Sequence, residues 1–356
     1  MMRRLGCLLL ALVLAGSLSG CGSSGPAEGQ TFAMDTIMNF SAYGKTGEDA
    51  IAAARERIYQ LEAELSRTRE DSEVSQLNQA GGAMTAVGDD VWKLLNSAKT
   101  YSAATGDAFD ITVAPVVSAW GFTTDSYQVP AQSELDELLP LVDDSRIQLE
   151  QRPDGCYAAL GQGQSIDLGG IAKGYASDCV AEIFAQNGVD SGMISLGGNV
   201  YVSGAKPDGS AWRVGVQDPQ DSNATVGILD LTDAYAVTSG GYQRYFEQDG
   251  KRYHHIIDPA TGYPAESGLL QVTVVAGANA AREDDGNPAG TGTMCDAFST
   301  ALFVMGEENA LDFWHSGAYD FDLVLVTDDG RVVVTDGLAD RFTPADGSEY
   351  SYETVS

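Results

Sequence analysis

The sequence predicts an α+β fold, with helices early in the chain and a hairpin-rich mixed or antiparallel sheet in the second half. Amphipathic helical patterns concentrate in the first half, and alternating or apolar strand patterns dominate the second. A doubly wound parallel sheet is not expected, because the glycine pattern at residues 161–163 is not completed at Ile166. One domain over residues 31–345 accounts for these patterns, since no linker divides the chain sharply.

Apolar residues at helical spacing predict three helices. The first covers Glu48–Leu65 and carries acidic residues in its first turn. The second covers Asp90–Ala104 and stops at Gly106. The third follows the glycine-rich segment Ile166–Asp178 and ends at Gly188. The apolar stripes of these helices are expected to face the core.

Turn signals in the second half predict two hairpins. The segment QDGK at residues 248–251 separates two strand patterns, and so do Asp329 and Gly330 within FDLVLVTDDGRVVVTDG. Hairpins join antiparallel strands, so the sheet is expected to be largely antiparallel.

The first residues predict export and lipid anchoring. Two arginines precede an apolar run, Leu5–Leu18, that is too short to span a bilayer comfortably and ends in LSGC. This pattern is typical of a bacterial lipoprotein signal over residues 1–20, with cleavage before Cys21 and lipidation of its thiol. Residues 21–30 then predict a flexible tether. The expected location is the extracytoplasmic face of the cell membrane; the alternative is a plain secretory signal or membrane anchor.

The charge of the chain restricts its partners. The formal net charge is −31, and loss of the two arginines in residues 1–20 changes it to −33. A surface this acidic repels nucleic acid and anionic lipid headgroups, so neither is an expected partner. An anionic ligand needs local backbone dipoles or a divalent cation to overcome this field.

The segment IDLGGIAKGYASD, Ile166–Asp178, places an aspartate, a lysine and glycines at the start of a predicted helix. Glycine exposes backbone N–H groups at close range, and the helix dipole favours negative charge at that end. The segment therefore predicts a phosphate-binding site, and the acidity of the whole chain suggests that a metal ion takes part.

Asp296 and Thr300 lie four residues apart at the start of an apolar helix over Met294–Gly306. This spacing puts a carboxylate and a hydroxyl on one face, and oxygen ligands of this kind suit Mg²⁺. The alternative is that Asp296 is simply the N-cap of its helix. The spacing alone leaves both interpretations open.

Two histidines end a strand in RYHHIIDPATGYP. Successive strand residues face opposite sides, so only one of His254 and His255 can point into any given site. A histidine there either serves as a general base near neutral pH or has a structural role.

Two other segments offer polar or aromatic groups. Thr238 and Ser239 precede a glycine pair and offer hydroxyls for hydrogen bonding, unless the pair marks only a tight strand bend. In ATGDAFDITVAP, Phe109 offers a ring and Asp110 a carboxylate, unless this segment is a buried turn.

Nine segments, spread over nearly the whole mature chain, resemble the ApbE-type flavin transferases, the FAD:protein FMN transferases. They are FAMDTIM, LSRTREDSEVSQLN, TGDAFDITVAP, IDLGGIAKGYASD, ISLGGNVYVSG, WRVGVQDP, AVTSGGYQRYF, YHHIIDPATGYP and DAFSTALFVMG. Each motif alone is weakly specific, but their common order argues against chance. The resemblance implies an ApbE-like fold and an enzyme that binds FAD and Mg²⁺. Such an enzyme moves FMN onto a Thr or Ser hydroxyl of a membrane or extracytoplasmic redox protein and releases AMP.

The resemblance also implies roles for individual residues. The positions that match FAD contacts of the family are Met34, Ala108, Phe109, Asp110, Asp167, Lys173 and Ile257. The Gly170 carbonyl, Asp296 and Thr300 match metal ligands, and Asp296 is expected to be catalytic through the metal. His255 occupies the position of the family's strand-end histidine, and we expect it to assist proton removal, with an acidic residue near the metal as the alternative.

Three positions depart from the family pattern. Asp35 stands where the motif usually has glycine, and Ser299 where some relatives add an acidic ligand, which leaves one ligand to water. Thr68 stands where several relatives carry an aromatic residue against the cofactor, which leaves the balance of transfer and hydrolysis open. The acidic, glycine-rich segment Ala281–Thr293 predicts a loop without an assigned function.

Two other functions remain open beside the transferase. The first is a Mg²⁺-dependent FAD pyrophosphatase, in which water replaces the acceptor hydroxyl and FMN and AMP are released. The second is a non-catalytic flavin-binding lipoprotein, which would bind FAD and leave it intact. Such a binding protein would not need Asp296 and Thr300 on one helix face.

Overall fold

A computed structural model describes residues 25–124, 126–281 and 289–356. Within these ranges the chain forms seven α-helices and seventeen β-strands. The helices are α1 (Gly47–Leu65), α2 (Glu73–Gln79), α3 (Asp89–Ala104), α4 (Ala114–Ala119), α5 (Gln132–Leu138), α6 (Ala172–Gln186) and α7 (Thr291–His315). The strands are β1 (Ala27–Ala33), β2 (Thr36–Ala42), β3 (Thr85–Val87), β4 (Gln148–Arg152), β5 (Gly155–Ala159), β6 (Gly192–Leu196), β7 (Asn199–Ser203), β8 (Trp212–Gln217), β9 (Thr225–Leu231), β10 (Ala234–Gly240), β11 (Tyr245–Gln248), β12 (Lys251–His254), β13 (Leu269–Gly277), β14 (Asp322–Thr327), β15 (Arg331–Thr335), β16 (Phe342–Pro344) and β17 (Ser351–Val355).

The largest sheet has nine strands in the order β1-β2-β6-β7-β10-β13-β14-β15-β17. Its neighbouring strands pair antiparallel, except β15 and β17, which are parallel. Three small sheets have the orders β11-β12, β16-β9-β8 and β3-β5-β4. The predicted α+β class with a mixed, hairpin-rich sheet is confirmed.

Helices cover one face of the nine-stranded sheet, and the main core lies beneath them. Helices α6 and α7 pack on each other and on β7, β10 and β13, while α1 packs on β1, β2 and α6. A second core, which includes Trp212 and Val214 of β8, fills the other face beneath the β16-β9-β8 sheet. A third, smaller cluster surrounds Trp120 and Phe122. The first core sets the relative positions of α6 and α7, which carry the candidate site.

The three predicted helices and both hairpins are present. Helices α1 and α3 match the predicted segments within one residue at each end, whereas α6 begins at Ala172, inside the glycine-rich segment that it was predicted to follow. Gly188 follows α6 with a φ of +67°, as expected for a helix stop in the left-handed region. Strands β11 and β12 enclose the predicted turn at residues 249–250, and β14 and β15 enclose the turn at 328–330. Local pattern was sufficient for these elements.

Both limits of the predicted domain need correction. The tether was predicted over residues 21–30, but residues 27–30 belong to β1, whose backbone pairs with β2 as an edge strand. The fold also continues past residue 345, because β17 pairs with β15 and completes the sheet. Cys21 and the signal over residues 1–20 lie outside the described residues.

The segment predicted as a loop over residues 281–293 is shorter than expected. Helix α7 already begins at Thr291, because its first turn is capped by a carboxylate from α6. Residues 282–288 lie outside the described ranges. In the part of the chain that the structure describes, no helix has both the length and the apolar character to cross a membrane.

Candidate active site

Helices α6 and α7 meet near their N-terminal turns, and glycines make their approach close. A Cβ atom at Gly174 would overlap the carbonyl oxygen of Gly292 and stand 2.7 Å from the Cβ of Asp296. A Cβ at Gly292 would stand 2.7 Å from the carbonyl oxygen of Gly174. The first N–H groups of each helix, which have no partner within their own helix, therefore lie close to the other helix.

Two aspartates cap these helix ends reciprocally. Asp178 of α6 accepts hydrogen bonds from the N–H groups of Gly292 and Thr293, at 2.7 and 2.8 Å, and from the Thr293 hydroxyl at 2.6 Å. Asp296 of α7 accepts a 2.8 Å hydrogen bond from the N–H of Gly174. Burial raises the pKa of Asp178, although the hydrogen bonds from Thr293 and Gly292 act in the opposite direction. The two helices therefore depend on each other for their first turns.

Asp296 is not the N-cap of its own helix. The N-cap of α7 is Gly290, and Asp296 lies inside the helix with only 3% of its surface exposed. Its Oδ2 atom accepts the hydrogen bond from Gly174, whereas Oδ1 receives none from any described residue. The carboxylate thus retains an oxygen atom that can act as a ligand.

Two serine hydroxyl groups lie close to the hydroxyl of Thr300, one helical turn beyond Asp296. The Oγ of Ser239, on β10, lies 2.8 Å from the Oγ of Ser299 and 3.2 Å from the Oγ1 of Thr300. A Cβ at Gly170 would stand 3.4 Å from the same Thr300 Oγ1. The structure thus brings the predicted ligand residues Gly170, Asp296 and Thr300 together, with Ser239 beside them; their roles as ligands stay a prediction.

This donor set fits Mg²⁺ chemically. It consists of one carboxylate, one carbonyl and hydroxyl groups, which are the hard oxygen donors that Mg²⁺ prefers. In residues 25–124, 126–281 and 289–356, no group of three or more His, Cys, Asp and Glu residues is arranged to hold a metal. A single carboxylate is nevertheless typical of Mg²⁺ sites that the phosphates of a substrate complete.

The glycine loop before α6 is held by ionic contacts. Asp167 accepts a 2.8 Å hydrogen bond from the N–H of Gly169 through Oδ1, and its Oδ2 lies 2.8 Å from Nη1 of Arg67. Lys173 donates from Nζ to the carbonyl oxygen of Gly169 at 3.2 Å. Lys173 and Asp167 therefore lie on either side of the loop that leads to Gly170.

The loop at residues 108–110 forms one wall of the site. The ring of Phe109 is buried, and its Cε2 lies 3.1 Å from where a Cβ at Gly170 would stand. Asp110 accepts from the N–H and hydroxyl of Thr112 and from the N–H of Asp144, and burial raises its pKa. The side chain of Asp110 is therefore already hydrogen-bonded within the protein, as expected if this segment is a buried turn. Contact of Ala108 and Phe109 with a cofactor stays a prediction.

His255 is a neutral base that lies beside Arg244 and the ring of Phe122. Its Nδ1 lies 3.1 Å from the carbonyl oxygen of Arg244, which can only accept, so Nδ1 carries the proton and Nε2 keeps a lone pair. Burial lowers the pKa of His255 to about 4, and the charges of Arg244 and Lys173 contribute.

His254 and Thr238, the sequence neighbours of His255 and Ser239, make structural contacts. The Nε2 of His254 lies 3.1 Å from the carbonyl oxygen of Ala265, and its ring packs edge-on against Phe303. Thr238 was predicted to bind cofactor together with Ser239, but its hydroxyl pairs with Thr273 at 2.8 Å. Adjacent strand residues face opposite sides, so Thr238 points away from the face that carries Ser239.

Met34 lies in the two-residue turn between β1 and β2. Both Met34 and Asp35 have positive φ, 48° and 57°, and aspartate tolerates this region, so the turn forms without the family's glycine. The N–H of Met34 donates to Oε1 of Glu62 at 2.6 Å, and the Asp35 carboxylate lies 3.7 Å from the guanidinium of Arg244. The turn is therefore close to the residue that orients His255.

The family resemblance also singled out Ile257, as an FAD contact, and Thr68, as a position without the usual aromatic residue. Ile257 is buried in the small cluster around Trp120 and forms a single bridge to Pro264. Thr68 is exposed, and its hydroxyl lies 3.1 Å from the Oγ of Ser66. The site therefore has no aromatic side chain at position 68.

Three residues near the site were missed in the sequence analysis. Arg67 and Asp178 both lie within quoted motifs, but each acts on a partner 100 or more residues away. The amide of Asn199, in ISLGGNVYVSG, is buried and has no hydrogen-bond partner among the described residues. Asn199 pairs with Val237, two residues from Ser239, which places it on the face that carries the site. A buried polar group of this kind is a useful signal only once the fold is known.

The fold and the site together define an α+β protein in which carboxylate and hydroxyl oxygen atoms converge near the start of two helices. A family model, the ApbE family, matches residues 34–324. The chain belongs to the ApbE family.

Known proteins agree with this assignment. The chain is 30% identical to an FAD:protein FMN transferase of Treponema pallidum, over 95% of this chain and 94% of that protein. It is 33% identical to one of Klebsiella pneumoniae, over 84% and 89% respectively. A crystal structure of the ApbE protein from Thermotoga maritima superposes with a TM-score of 0.79, at 30% identity, over 89% of this chain and 99% of that one. The flavinyl transferase ApbE of Pseudomonas stutzeri, in its apo form, gives a TM-score of 0.75 at 26% identity, over 90% of this chain and 98% of that one.

Proposed function

We propose that this chain is an FAD:protein FMN transferase that acts where α6 and α7 meet. It moves FMN from FAD onto a Thr or Ser hydroxyl of an acceptor protein and releases AMP. The observation that carries the proposal is the convergence of Asp296, Thr300 and Gly170 near a helix start. The curated relatives that span most of this chain bear the same function in their names.

The reaction is a phosphoryl-type substitution. The acceptor oxygen forms a bond to the FMN phosphorus, and the bond from that phosphorus to the oxygen bridging the two phosphates breaks. AMP leaves with that bonding pair, and the hydroxyl proton passes to Nε2 of His255. The carbonyl of Arg244 keeps the Nδ1 proton in place, so that Nε2 stays available as the acceptor.

The rest of the site binds negative charge. The dipole of α6 and the ammonium of Lys173 favour a diphosphate there, despite the net charge of the chain. Asp296, Thr300 and the Gly170 carbonyl would hold Mg²⁺, which when bound neutralises charge on the phosphate oxygens. Ser239 adds a hydroxyl within reach of Thr300.

We further propose an extracytoplasmic location with a lipid anchor at Cys21. The support is the arginine-led apolar run that ends in LSGC, together with a surface that disfavours nucleic acid. In this location the acceptor is a protein of a membrane or extracytoplasmic redox complex. Labelling with a radioactive fatty acid in the native host, with Cys21→Ser as control, tests the anchor.

One observation favours hydrolysis as a second activity. Thr68 is exposed and small, so no ring at this position covers the bound flavin. Water then has easier access to the diphosphate. Incubation with FAD and MgCl₂ but no acceptor, followed by chromatography, measures the release of FMN and AMP.

The test of transfer is mass spectrometry of a candidate acceptor after incubation with the protein, FAD and MgCl₂. We expect one FMN on a Thr or Ser, and loss of this product in Asp296→Asn. Asp312→Asn, which changes an exposed aspartate of α7 beyond the kink at Gly306, is the control and should retain full transfer. FAD that is bound but left intact in all samples would instead indicate a binding protein.

A further inference from the structure

We infer that Arg67 is a positioning residue, which holds the glycine loop at residues 167–170 in the form that presents the Gly170 carbonyl to the site. The inference rests on the proposed function only for the identity of the ligands, FAD and Mg²⁺. Arg67 follows α1, far in sequence from this loop, and it was not among the predicted site residues.

The contacts of Arg67 join three separate segments. Its Nη1 donates to Oδ2 of Asp167 at 2.8 Å, and its Nη2 donates to the Oγ of Ser118 at 2.6 Å. Nη2 also lies 3.5 Å from the carbonyl oxygen of Ala114, in the first turn of α4. The segment after α1, helix α4 and the glycine loop are thus linked through one guanidinium.

Asp167 is occupied by these protein contacts. One of its oxygens accepts a hydrogen bond from Arg67 and the other accepts one from the N–H of Gly169, so both contacts orient the loop. Lys173 then holds the carbonyl oxygen of Gly169. Gly170 follows directly, between the ring of Phe109 and the hydroxyl of Thr300. A change at Arg67 is therefore transmitted to Gly170 through Asp167.

The partial burial of this ion pair makes it effective. The side chains of Arg67 and Asp167 are 18% and 23% exposed, so solvent and salt screen them less than a surface pair. The neighbouring Arg69–Asp71 pair is far more open, at 49% and 75%. A planar guanidinium can donate to Asp167 and Ser118 from two nitrogens at once, whereas a lysine ammonium at a single point cannot reproduce this fork.

The experiment measures the affinity of Mg²⁺ by titrating the full chain with MgCl₂ in the presence of FAD and recording flavin fluorescence. We expect Arg67→Ala to weaken Mg²⁺ binding about 10- to 100-fold, as loss of an orienting partner does at metal sites. Arg67→Lys should give an intermediate loss. Arg69→Ala, which removes a similar but exposed ion pair, is the matched control and should bind as the wild type does.

A double-mutant cycle with Asp167→Asn tests whether Arg67 acts through Asp167. If Arg67 acts through Asp167, the Mg²⁺ affinity of the double variant equals that of whichever single variant has the lower affinity. In turnover assays the Arg67 variants should need more Mg²⁺ but recover most of their kcat at saturation. Strictly additive losses, or unchanged Mg²⁺ affinity in both Arg67→Ala and Arg67→Lys, would overturn the inference.

The Mg²⁺-binding test of Arg67 and the test of flavin transfer can fail independently of each other. If the wild type binds FAD and Mg²⁺ but transfers no flavin, the transferase proposal fails while the binding cycle still decides the role of Arg67. If Arg67→Ala does not fold, the cycle is run with Arg67→Lys, which keeps the charge beside Asp167.

Discussion

Replacement of Asp178 by Ala removes the acceptor that caps helix α7. The N–H groups of Gly292 and Thr293 and the Thr293 hydroxyl lose their partner at once. Thr293 is fully buried, so water cannot replace the carboxylate without a rearrangement of the helix start. The perturbation therefore tests whether the reciprocal capping of α6 and α7 holds the site together.

The expected cost follows from these donors. A buried donor left unsatisfied costs roughly 1–3 kcal/mol, and loss of an N-cap costs typically about 1 kcal/mol. Removal of a buried carboxylate, whose pKa burial raises, returns part of this free energy. We expect a net destabilisation of about 2–4 kcal/mol, which is a large effect for a single side chain.

Urea unfolding followed by circular dichroism measures this cost, provided that the m-value is unchanged. Asp208→Ala is the matched control, since Asp208 accepts from the N–H and hydroxyl of Ser210 in the same way but on the exposed surface. The control should unfold at the wild-type midpoint. An Asp178→Ala protein that is also as stable as the wild type would refute the capping argument.

Four further predictions concern the site. Asp296→Asn keeps an acceptor for the N–H of Gly174 but loses the negative charge. Calorimetry should therefore show that the variant folds like the wild type but no longer binds Mg²⁺ in the presence of FAD. Retained Mg²⁺ binding would contradict the role of Asp296 as a ligand. The neutral base form of His255 is populated above its lowered pKa of about 4. We therefore expect kcat/KM to stay constant down to about pH 5 and to decrease at lower pH. A decrease of kcat/KM that already begins near pH 6.5 would contradict this. Gly174→Ala places a Cβ against Gly292, so thermal unfolding should show a loss of about 1–3 kcal/mol; an unchanged midpoint would mean that the helices can separate freely. Thr68→Tyr adds a ring beside the flavin and should tighten FAD binding about 2- to 10-fold in equilibrium dialysis, whereas unchanged binding would show that position 68 does not reach the flavin.

Local patterns predicted most of the secondary structure but not its limits. Helix α1 and the β14–β15 hairpin follow from spacing and turn chemistry within one segment. Strand β17 depends on pairing with β15, and β1 on pairing with β2, and composition alone does not reveal such partners. The glycine-rich start of the tether therefore looked flexible although its end is part of the sheet.

The candidate site shows the same division. The spacing of Asp296 and Thr300 predicted a shared helix face, and the structure places Thr300 beside Ser239 and Asp296 one turn earlier in the same helix. Gly170 entered only through the family resemblance, because a backbone carbonyl carries no side-chain signal. Arg67 could not be assigned from the sequence, since its partner Asp167 is 100 residues away.

Strand alternation could have refined one prediction further. Thr238 and Ser239 are adjacent in β10, so they face opposite sides of the sheet, and only one can belong to the site. The same reasoning was applied to His254 and His255, and the structure gives them different surroundings. Applied to both pairs, it would have left Thr238 out.

The central claim is that oxygen atoms from the glycine loop and from α7 form one cation site at which the FAD diphosphate reacts. Crystals grown with FAD and MnCl₂, measured at the manganese absorption edge, test it most directly, because Mn²⁺ takes the same ligands as Mg²⁺ and scatters anomalously. We predict an anomalous peak bonded to the carboxylate of Asp296 and the carbonyl of Gly170, in contact with the FAD diphosphate. A peak elsewhere, or FAD bound with its diphosphate away from both residues, would contradict the account.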